Sequence, residues 1–584
     1  MKKSVRILLF KVPVYARPNE GAAANFSKKN PINYTPSLAL ASLAGFVKKY
    51  FTLDHTLEVY DMNVDSLAPF KSEVELSERA LNNGQNKIAE SDFDVLAISC
   101  QFMFNQSYVD TIVEFAHKHN PQAAIIVGGG YATIFPEQAA KQPHIDYAVI
   151  GEGEHTLVHI LNEKFGISDE AFKEKWPFDG FIRNRPDGTI EHLKKVAMLQ
   201  NLEDLPLPAW DLFGLSDYNS KTYDGGLPFM SSRGCPMNCS FCSTHLAWGR
   251  KVRYRPIQEI VNELLSSYKL YGVRSFSCVD DNVNFDKKWI IEFCNLAGDQ
   301  LPSDVQITFS NFDLRFIDRD VVRALKKIRV SNIVIATESG SQEIQRKISK
   351  KLKLATISET IKMIQEEGLT VHNMFMIGYP DETMDQIMQT VDFARSLRTE
   401  TMQIWPVFPF PGTRLYDEAK SFGSFAIDER DYDNLHYRSG QISSNEWDAK
   451  TVEQIAYDTS IELNFLATPN YDSTSGQSKL KTKMDSIIGS YPGHVIALIV
   501  RGHFAKVDED TKLQASCYNQ AVKTLNSSDR TFGRYMSWNY PSILDFLSWV
   551  SENHPQPFEW LPEQAEEFHP AGFASKKSLD ARAS

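Results

Sequence analysis

The chain has 584 residues, 42% of them apolar, with seven cysteines and a formal net charge of −12. That length exceeds one core and suggests three domains, and the acidic balance argues against a chain built mainly to grip nucleic acid or an anionic membrane surface. The opening residues, Met1–Phe10, hold two lysines and an apolar run only from Ile7 to Phe10. This is too short for a signal-peptide core or a membrane span, so the chain reads as cytoplasmic. Cys100, Cys278, Cys294 and Cys517 lie scattered, without pairing logic, which fits a reducing compartment.

Residues 1–164 alternate short apolar runs with amphipathic stretches, the pattern of a doubly wound parallel sheet of the Rossmann type. The predicted strands are Val5–Phe10, Leu57–Tyr60, Val95–Ser99, Ala124–Val127 and Tyr147–Ile150, with helices at Ser37–Lys49, Ser107–His119 and Glu154–Glu163. Ligands of such sheets bind at the carboxyl ends of the strands. The informative loops are therefore Ser99-Cys100-Gln101, the run Gly128-Gly129-Gly130 through Thr133, and Gly151-Glu152-Gly153-Glu154. A triple glycine directly after a strand lets a ligand approach the backbone, with Thr133 offering a hydroxyl; a turn that serves packing alone is the equal alternative.

Residues 165–226 are rich in Pro, Asp and Lys and read as a linker. They contain one predicted hairpin, Phe181–Leu193, turning at Pro186-Asp187-Gly188, and an extended Leu205-Pro206-Leu207-Pro208.

From Leu227 to about residue 425 the α/β alternation resumes. Immediately after its first apolar run comes Ser231–Tyr254, where Cys235, Cys239 and Cys242 form C-x-x-x-C-x-x-C beside Gly234 and Pro236. Thiolates packed this closely suit a soft metal centre better than a disulfide framework, the bland alternative being three ordinary loop cysteines. Three thiolates on a cube of four irons leave one iron without a protein ligand, open to an outside chelator.

These residues, with Phe241 at the aromatic position before the third cysteine, resemble the radical S-adenosylmethionine (SAM) superfamily. The resemblance implies a [4Fe-4S] cluster on the three cysteines whose free iron holds the amino and carboxylate groups of SAM, and cleavage of SAM to a 5′-deoxyadenosyl radical. The GGG-x-x-T and GEGE runs in front resemble the cobalamin-binding domain of a large branch of that superfamily. This second resemblance implies that Gly128, Gly129, Gly130 and Thr133 line the nucleotide tail of cobalamin, flanked by Ser99, Gly151, Glu152 and Gly153. One departure stands out: no D-x-H-x-x-G motif is present to supply a histidine to cobalt, and the first strand runs on into Lys11-Val12-Pro13-Val14-Tyr15.

The later strands are predicted at Leu227–Ser231, Val273–Val279, Gln306–Ser310, Asn332–Thr337, Thr370–Ile377 and Met402–Val407, with helices including Ile257–Tyr271, Lys287–Gly298, Ile357–Glu367 and Met384–Leu397. Six strand-helix units make a partial (β/α)6 barrel, the fold that the resemblance also implies. Its strand ends present Asp280-Asp281-Asn282, Ser310-Asn311, Glu338-Ser339, Gly378-Tyr379-Pro380-Asp381-Glu382 and Pro409-Phe410-Pro411-Gly412-Thr413. The ATESG and GYPDE runs resemble family loops around SAM, which implies Glu338 as the side-chain ligand of its ribose or amino group, with Ser310 nearby. Asp280 and Asp281 read equally as helix caps before Phe285–Gly298 or as cofactor contacts, and the prolines after the sixth strand as a rigid turn. The basic run Arg250–Arg255 closes the cluster loop and balances its charge in preference to binding nucleic acid.

Residues 426–584 read as a helical domain, with helices at Asp448–Phe465, Lys479–Ile488 and Asp510–Leu525 broken by Asn470–Gly476, and a disordered tail over Ser575–Ser584. Its aromatics, Tyr535, Trp538, Tyr540, Phe546, Trp549, Phe558 and Trp560, serve core packing or the selection of substrate.

The whole is expected to be a cobalamin-dependent radical SAM methyltransferase acting on an unactivated carbon or phosphorus centre of a small molecule, with a flavodoxin- or ferredoxin-like reducing partner. Two alternatives use the same features: a cyclase or rearrangement enzyme, and a cobalamin- or redox-sensing regulator.

Overall fold

A computed structural model of the chain describes residues 4–15, 35–68, 70, 72–176, 180–185, 189–192, 198–215, 226–426, 440–526 and 540–554. The turn Pro186-Asp187-Gly188, the aromatics Tyr535, Trp538, Phe558 and Trp560, and the tail Ser575–Ser584 lie outside the described residues.

The first domain is built on seven strands: β1 (Val5–Lys11), β2 (His55–Asp61), β3 (Val95–Ser99), β4 (Ala124–Gly128), β5 (Tyr147–Val149), β6 (Phe181–Asn184) and β7 (Ile190–His192). They lie in the order β2-β1-β3-β4-β5-β6-β7, parallel up to β5 and antiparallel beyond it. Central β3 reads VLAIS and is buried along four of its five residues, because helices cover both faces of a parallel sheet. The predicted linker hairpin is the antiparallel edge of this sheet, since Phe181–Arg183 pair with Tyr147–Val149.

The helix Glu73–Glu90, capped by Ser72, has no counterpart in the sequence reading. Its buried face uses small residues, and a Cβ on Gly84 would lie 3.2 Å from Phe10.

The second domain has six parallel strands in sequential order: β8 (Leu227–Phe229), β11 (Ser275–Cys278), β12 (Gln306–Phe309), β13 (Asn332–Glu338), β14 (Thr370–Ile377) and β15 (Thr401–Pro406). A bridge between Phe312 and Ile335 joins its two three-stranded halves. Two short strands, β9 (Ser232–Arg233) and β10 (Arg253–Tyr254), pair antiparallel above β8. Along β14, buried Val371, Asn373, Phe375 and Ile377 alternate with partly exposed Thr370, His372, Met374 and Met376. The first set packs beneath the outer helices and the second faces the barrel interior.

β15 is an edge, with unpaired backbone groups that must be covered. The helix Ala449–Ile461 and the π-helical turn Glu462–Leu466 lie along it. Asn464 accepts from the Met402 N–H at 3.1 Å and donates to its carbonyl at 2.5 Å, while Ser460 Oγ accepts from the Ile404 N–H at 3.3 Å. The C-terminal domain continues with helices Thr474–Ser490, Val495–Val507, Thr511–Leu525 and Pro541–Asn553. Val495–Val507, absent from the sequence reading, is the helix around which this core is built. No described helix is long and apolar enough to cross a membrane.

Candidate functional site

The three motif cysteines sit at the mouth of the barrel, on the loop that leaves β9. Gly234 begins this loop at φ +95°, where any Cβ would lie 2.3 Å from the Lys251 carbonyl, so only glycine permits the turn. Below it, Asp280 at the end of β11 accepts hydrogen bonds from the Ser231 N–H (2.7 Å) and from the hydroxyls of Ser231 (2.5 Å) and Ser232 (2.6 Å). Asp280 is therefore a buttress of the loop, and the cap of the following helix Lys287–Gln300 is Asp286. The Ser240 N–H reaches the Ile348 carbonyl at 3.0 Å, and Arg250 donates to the Met237 carbonyl at 2.6 Å.

All seven cysteines are free; Cys235, Cys239 and Cys242 are partly exposed, whereas the other four are buried. Burial pushes the Cys239 thiol up to about 11, against the pull of the Lys350 ammonium. No three His, Cys, Asp or Glu side chains among the described residues converge on a single ion. A polynuclear cluster takes its thiolates at separate corners, and three accessible, unpaired thiols on one loop fit it.

The neighbouring strand ends supply polar groups. Asn282 Nδ2 lies 3.8 Å from Cys235 Sγ, and Asp281 accepts from the Thr244 hydroxyl at 3.1 Å. Ser310, exposed at the end of β12, donates to the Cys278 carbonyl at 3.1 Å. Glu338 ends β13 at a register shift, in a left-handed conformation (φ +71°) that costs energy in a non-glycine residue. Its carboxylate is held at 2.8 Å by Lys350, which the sequence reading did not single out. Lys350 sits between two left-handed residues, Ser349 and Lys351, and its carbonyl accepts from Arg315 at 3.3 Å. Phe241 packs against the barrel core.

The loop after β14 is organised by Glu382, which accepts from the N–H groups of Gly378 (2.7 Å) and Tyr379 (3.0 Å). Burial pushes its carboxyl from the ordinary 4.5 to about 7, against the pull of those two donors and of Lys347. The folded chain thus holds this proton more tightly than the unfolded chain, so the associated stability is full below about pH 4.5 and is lost as pH rises through about 7. Glu382→Gln, which keeps an acceptor for both donors, is expected to flatten that part of a denaturation profile taken from pH 4 to 8.

Ser99, Gly128–Gly130, Gly151 and Gly153 are partly exposed at one end of the first sheet, so their backbone is accessible to a ligand. The glycines also serve their neighbours, since a Cβ on Gly129 or Gly130 would lie 2.5 Å from the Cys100 carbonyl or 2.2 Å from that of Gln101. Thr133 accepts from the Gly151 N–H at 3.0 Å and donates to the Gly129 carbonyl at 2.8 Å, tying the two loops together. Accessible backbone in three adjacent strand-end turns fits the tail of a nucleotide-bearing cofactor.

Glu152 is a correction. Expected beside that tail, its carboxylate is buried and turned to the other domain, where it meets Arg253 at 2.7 Å and accepts from the Leu199 N–H at 2.6 Å. Glu154 likewise meets Arg233 at 2.5 Å. With Arg255 held by Glu263 at 2.7 Å, three arginines around the cluster loop are consumed inside the protein.

The two strand-end regions face each other. Helix Gly130–Ile134, which follows the triple glycine, packs on Thr244–Trp248, which follows the third cysteine. From the loop after β15, Phe408 enters the core of the first domain and Phe410 packs against it, so this proline-rich turn is also an interdomain contact.

Residues 229–394 match the radical SAM superfamily, and residues 32–161 match the B12 binding domain. An uncharacterized methyltransferase of Pyrococcus horikoshii is 29% identical over 396 residues, covering 66% of this chain and 78% of that protein. The cytidylyl-2-hydroxyethylphosphonate methyltransferase of Streptomyces wedmorensis is 26% identical over 459 residues, covering 72% and 85%. In fold, the chain resembles the cobalamin-dependent S-adenosylmethionine radical enzyme OxsB, solved with aqua-cobalamin and S-adenosylmethionine bound, at a TM-score of 0.62, 13% identity and coverage of 94% and 84%. The chain thus combines a B12 binding domain with a radical SAM barrel that carries the three-cysteine loop at its mouth.

Proposed function

We propose that the protein is a methyltransferase that moves a methyl group from SAM, by way of cobalamin, to an unactivated carbon or phosphorus centre of a small molecule. The observation that carries this reading is the packing of helix Gly130–Ile134 on Thr244–Trp248, which sets the glycine turn of the B12 binding domain against the cluster loop. The methyltransferase names of two relatives, each covered over more than two thirds of its length, support it. When bound, the iron–sulfur cluster supplies the electron for SAM cleavage and cobalamin supplies the methyl carrier.

The chain's own residues do the rest. Cys235, Cys239 and Cys242 hold the cluster. Glu338, oriented by Lys350, offers a carboxylate at the barrel mouth to the ribose hydroxyls or ammonium of SAM. Gly128–Gly130, Thr133, Ser99 and Gly151 receive the cobalamin tail. Met374 and Met376 on the inner face of β14 give the substrate space an adaptable, apolar wall. A reducing partner of the flavodoxin or ferredoxin kind delivers electrons to the exposed side of the cluster loop.

The test uses the protein loaded with cluster and cobalamin, a chemical reductant and methyl-labelled SAM. Label is expected in the cobalamin fraction and deoxyadenosine in solution. Deoxyadenosine without labelled cobalamin would overturn the methyltransferase reading in favour of cyclisation or rearrangement, and a loaded protein that forms neither would point to a sensor.

A further inference from the structure

We infer that Glu152, Glu154, Arg233 and Arg253 are positioning residues that hold the cobalamin loop and the cluster loop at a fixed separation. The inference rests on the function proposed above. Each of the four side chains is no more than 6% exposed. The two carboxylates flank Gly153 where the loop after β5 enters the helix Gly153–Lys164, on the ligand side of the first sheet. The two guanidiniums come from β9 and β10, where Arg233 and Arg253 are directly opposite partners, and Arg233 stands two residues before Cys235.

The contacts cross the domain boundary in a closed pattern. Arg233 lies 2.5 Å from Glu154 and 3.6 Å from Glu152, and Arg253 lies 2.7 Å from Glu152. The peptide of Leu199, in the segment joining the domains, is gripped from both sides: its N–H donates to Glu152 at 2.6 Å, and its carbonyl accepts from Arg253 at 2.6 Å. The Arg233 guanidinium also lies 4.8 Å from the ring centroid of Trp248, on the helix that packs against Gly130–Ile134.

Adhesion alone does not explain this arrangement. Desolvating four charges offsets most of their attraction, and apolar side chains would hold two domains together at least as well. What planar guanidiniums add is direction: each fixes the angle and register of the carboxylate it meets. Two loops whose cofactors must exchange a group need that register, because a misplacement of about 1 Å can cost about a hundred-fold in rate.

The test uses the full chain loaded with cluster and cobalamin, as wild type, Glu154→Gln and Arg253→Lys. The second variant keeps the charge and serves if the first fails to fold. Iron, sulfide and cobalamin are counted, deoxyadenosine formation from SAM is followed without substrate, and the distance between the reduced cluster and cob(II)alamin is measured by pulsed electron paramagnetic resonance. Both variants are expected to keep wild-type cofactor counts and SAM cleavage within about two-fold, while the inter-spin distance shifts by about 1 Å or more or its distribution broadens about two-fold. Wild-type distances in both loaded variants would overturn the positioning role and leave the proposed function standing. Wild-type protein that binds no cobalamin would overturn both.

Discussion

Cys239→Ala is expected to leave the protein without its cluster, with iron falling from about four per chain to near zero and SAM cleavage falling to background. The three thiols are the accessible cysteines of the chain, and they stand on a loop anchored by Asp280, by the Ser240 N–H and by Arg250. Because that anchoring does not depend on the thiols, the loop should survive the substitution while its capacity to hold iron does not. Losing an outer partner of a metal ligand typically costs about 10- to 100-fold, so loss of a ligand itself should exceed about 100-fold. Cys294→Ala is the control: this thiol is buried in the helix Lys287–Gln300, and its removal should leave the iron count unchanged. Anaerobic reconstitution followed by iron and sulfide analysis checks both; a full four-iron complement in Cys239→Ala would be fatal to the assignment of the ligands.

Arg253→Met is expected to destabilise the protein by about 3–5 kcal/mol, read from the midpoint of guanidinium unfolding. The methionine fills much of the volume but leaves Glu152, whose side chain is 0% exposed, without its nearer counter-charge. Arg233, at 3.6 Å and already engaged with Glu154, is too far to replace it fully. The Leu199 carbonyl loses its donor as well. Lys118→Met, at an exposed pair with Glu114 on the helix Gln106–His119, should leave that midpoint nearly unchanged, because solvent screens the pair. The contrast sets a buried cation, lost together with its hydrogen bond to the Leu199 carbonyl, against a solvated one that has a single carboxylate partner.

Much of the architecture was legible because its elements carry strong periodic signals. β3 and β14 match their predicted spans, Val95–Ser99 and Thr370–Ile377. Glu73–Glu90 was not legible, because its buried face is made of Ser77, Ala80 and Gly84 as much as of Leu76 and Ile88, which blurs the apolar stripe. Val495–Val507 failed for the opposite reason: it is apolar nearly all round, and a helix buried on every side shows no stripe.

At the site, the cysteine loop was legible because its chemistry is local in sequence. The partners of Glu152 and Glu338 were not. Arg253 lies about a hundred residues beyond Glu152, and Lys350 sits twelve beyond Glu338 in a run of lysines that gives no sign of which one turns inward. A GEGE loop beside glycine turns looks like a ligand loop by position. Only the fold reveals that its glutamates answer arginines of another domain.

The side-chain bonds that Asn464 and Ser460 make to the backbone of β15 carry one more consequence. They mimic the next strand of a sheet, so the barrel ends on a surrogate strand presented by a helix. Removing the chain beyond residue 448 would therefore do more than delete a neighbouring domain. It would uncap a parallel edge whose inner face is partly apolar, and the shortened protein would seek a substitute strand from another copy of itself. The C-terminal domain is in this sense a folding partner of the barrel, and any route that admits substrate must open somewhere other than along this seam.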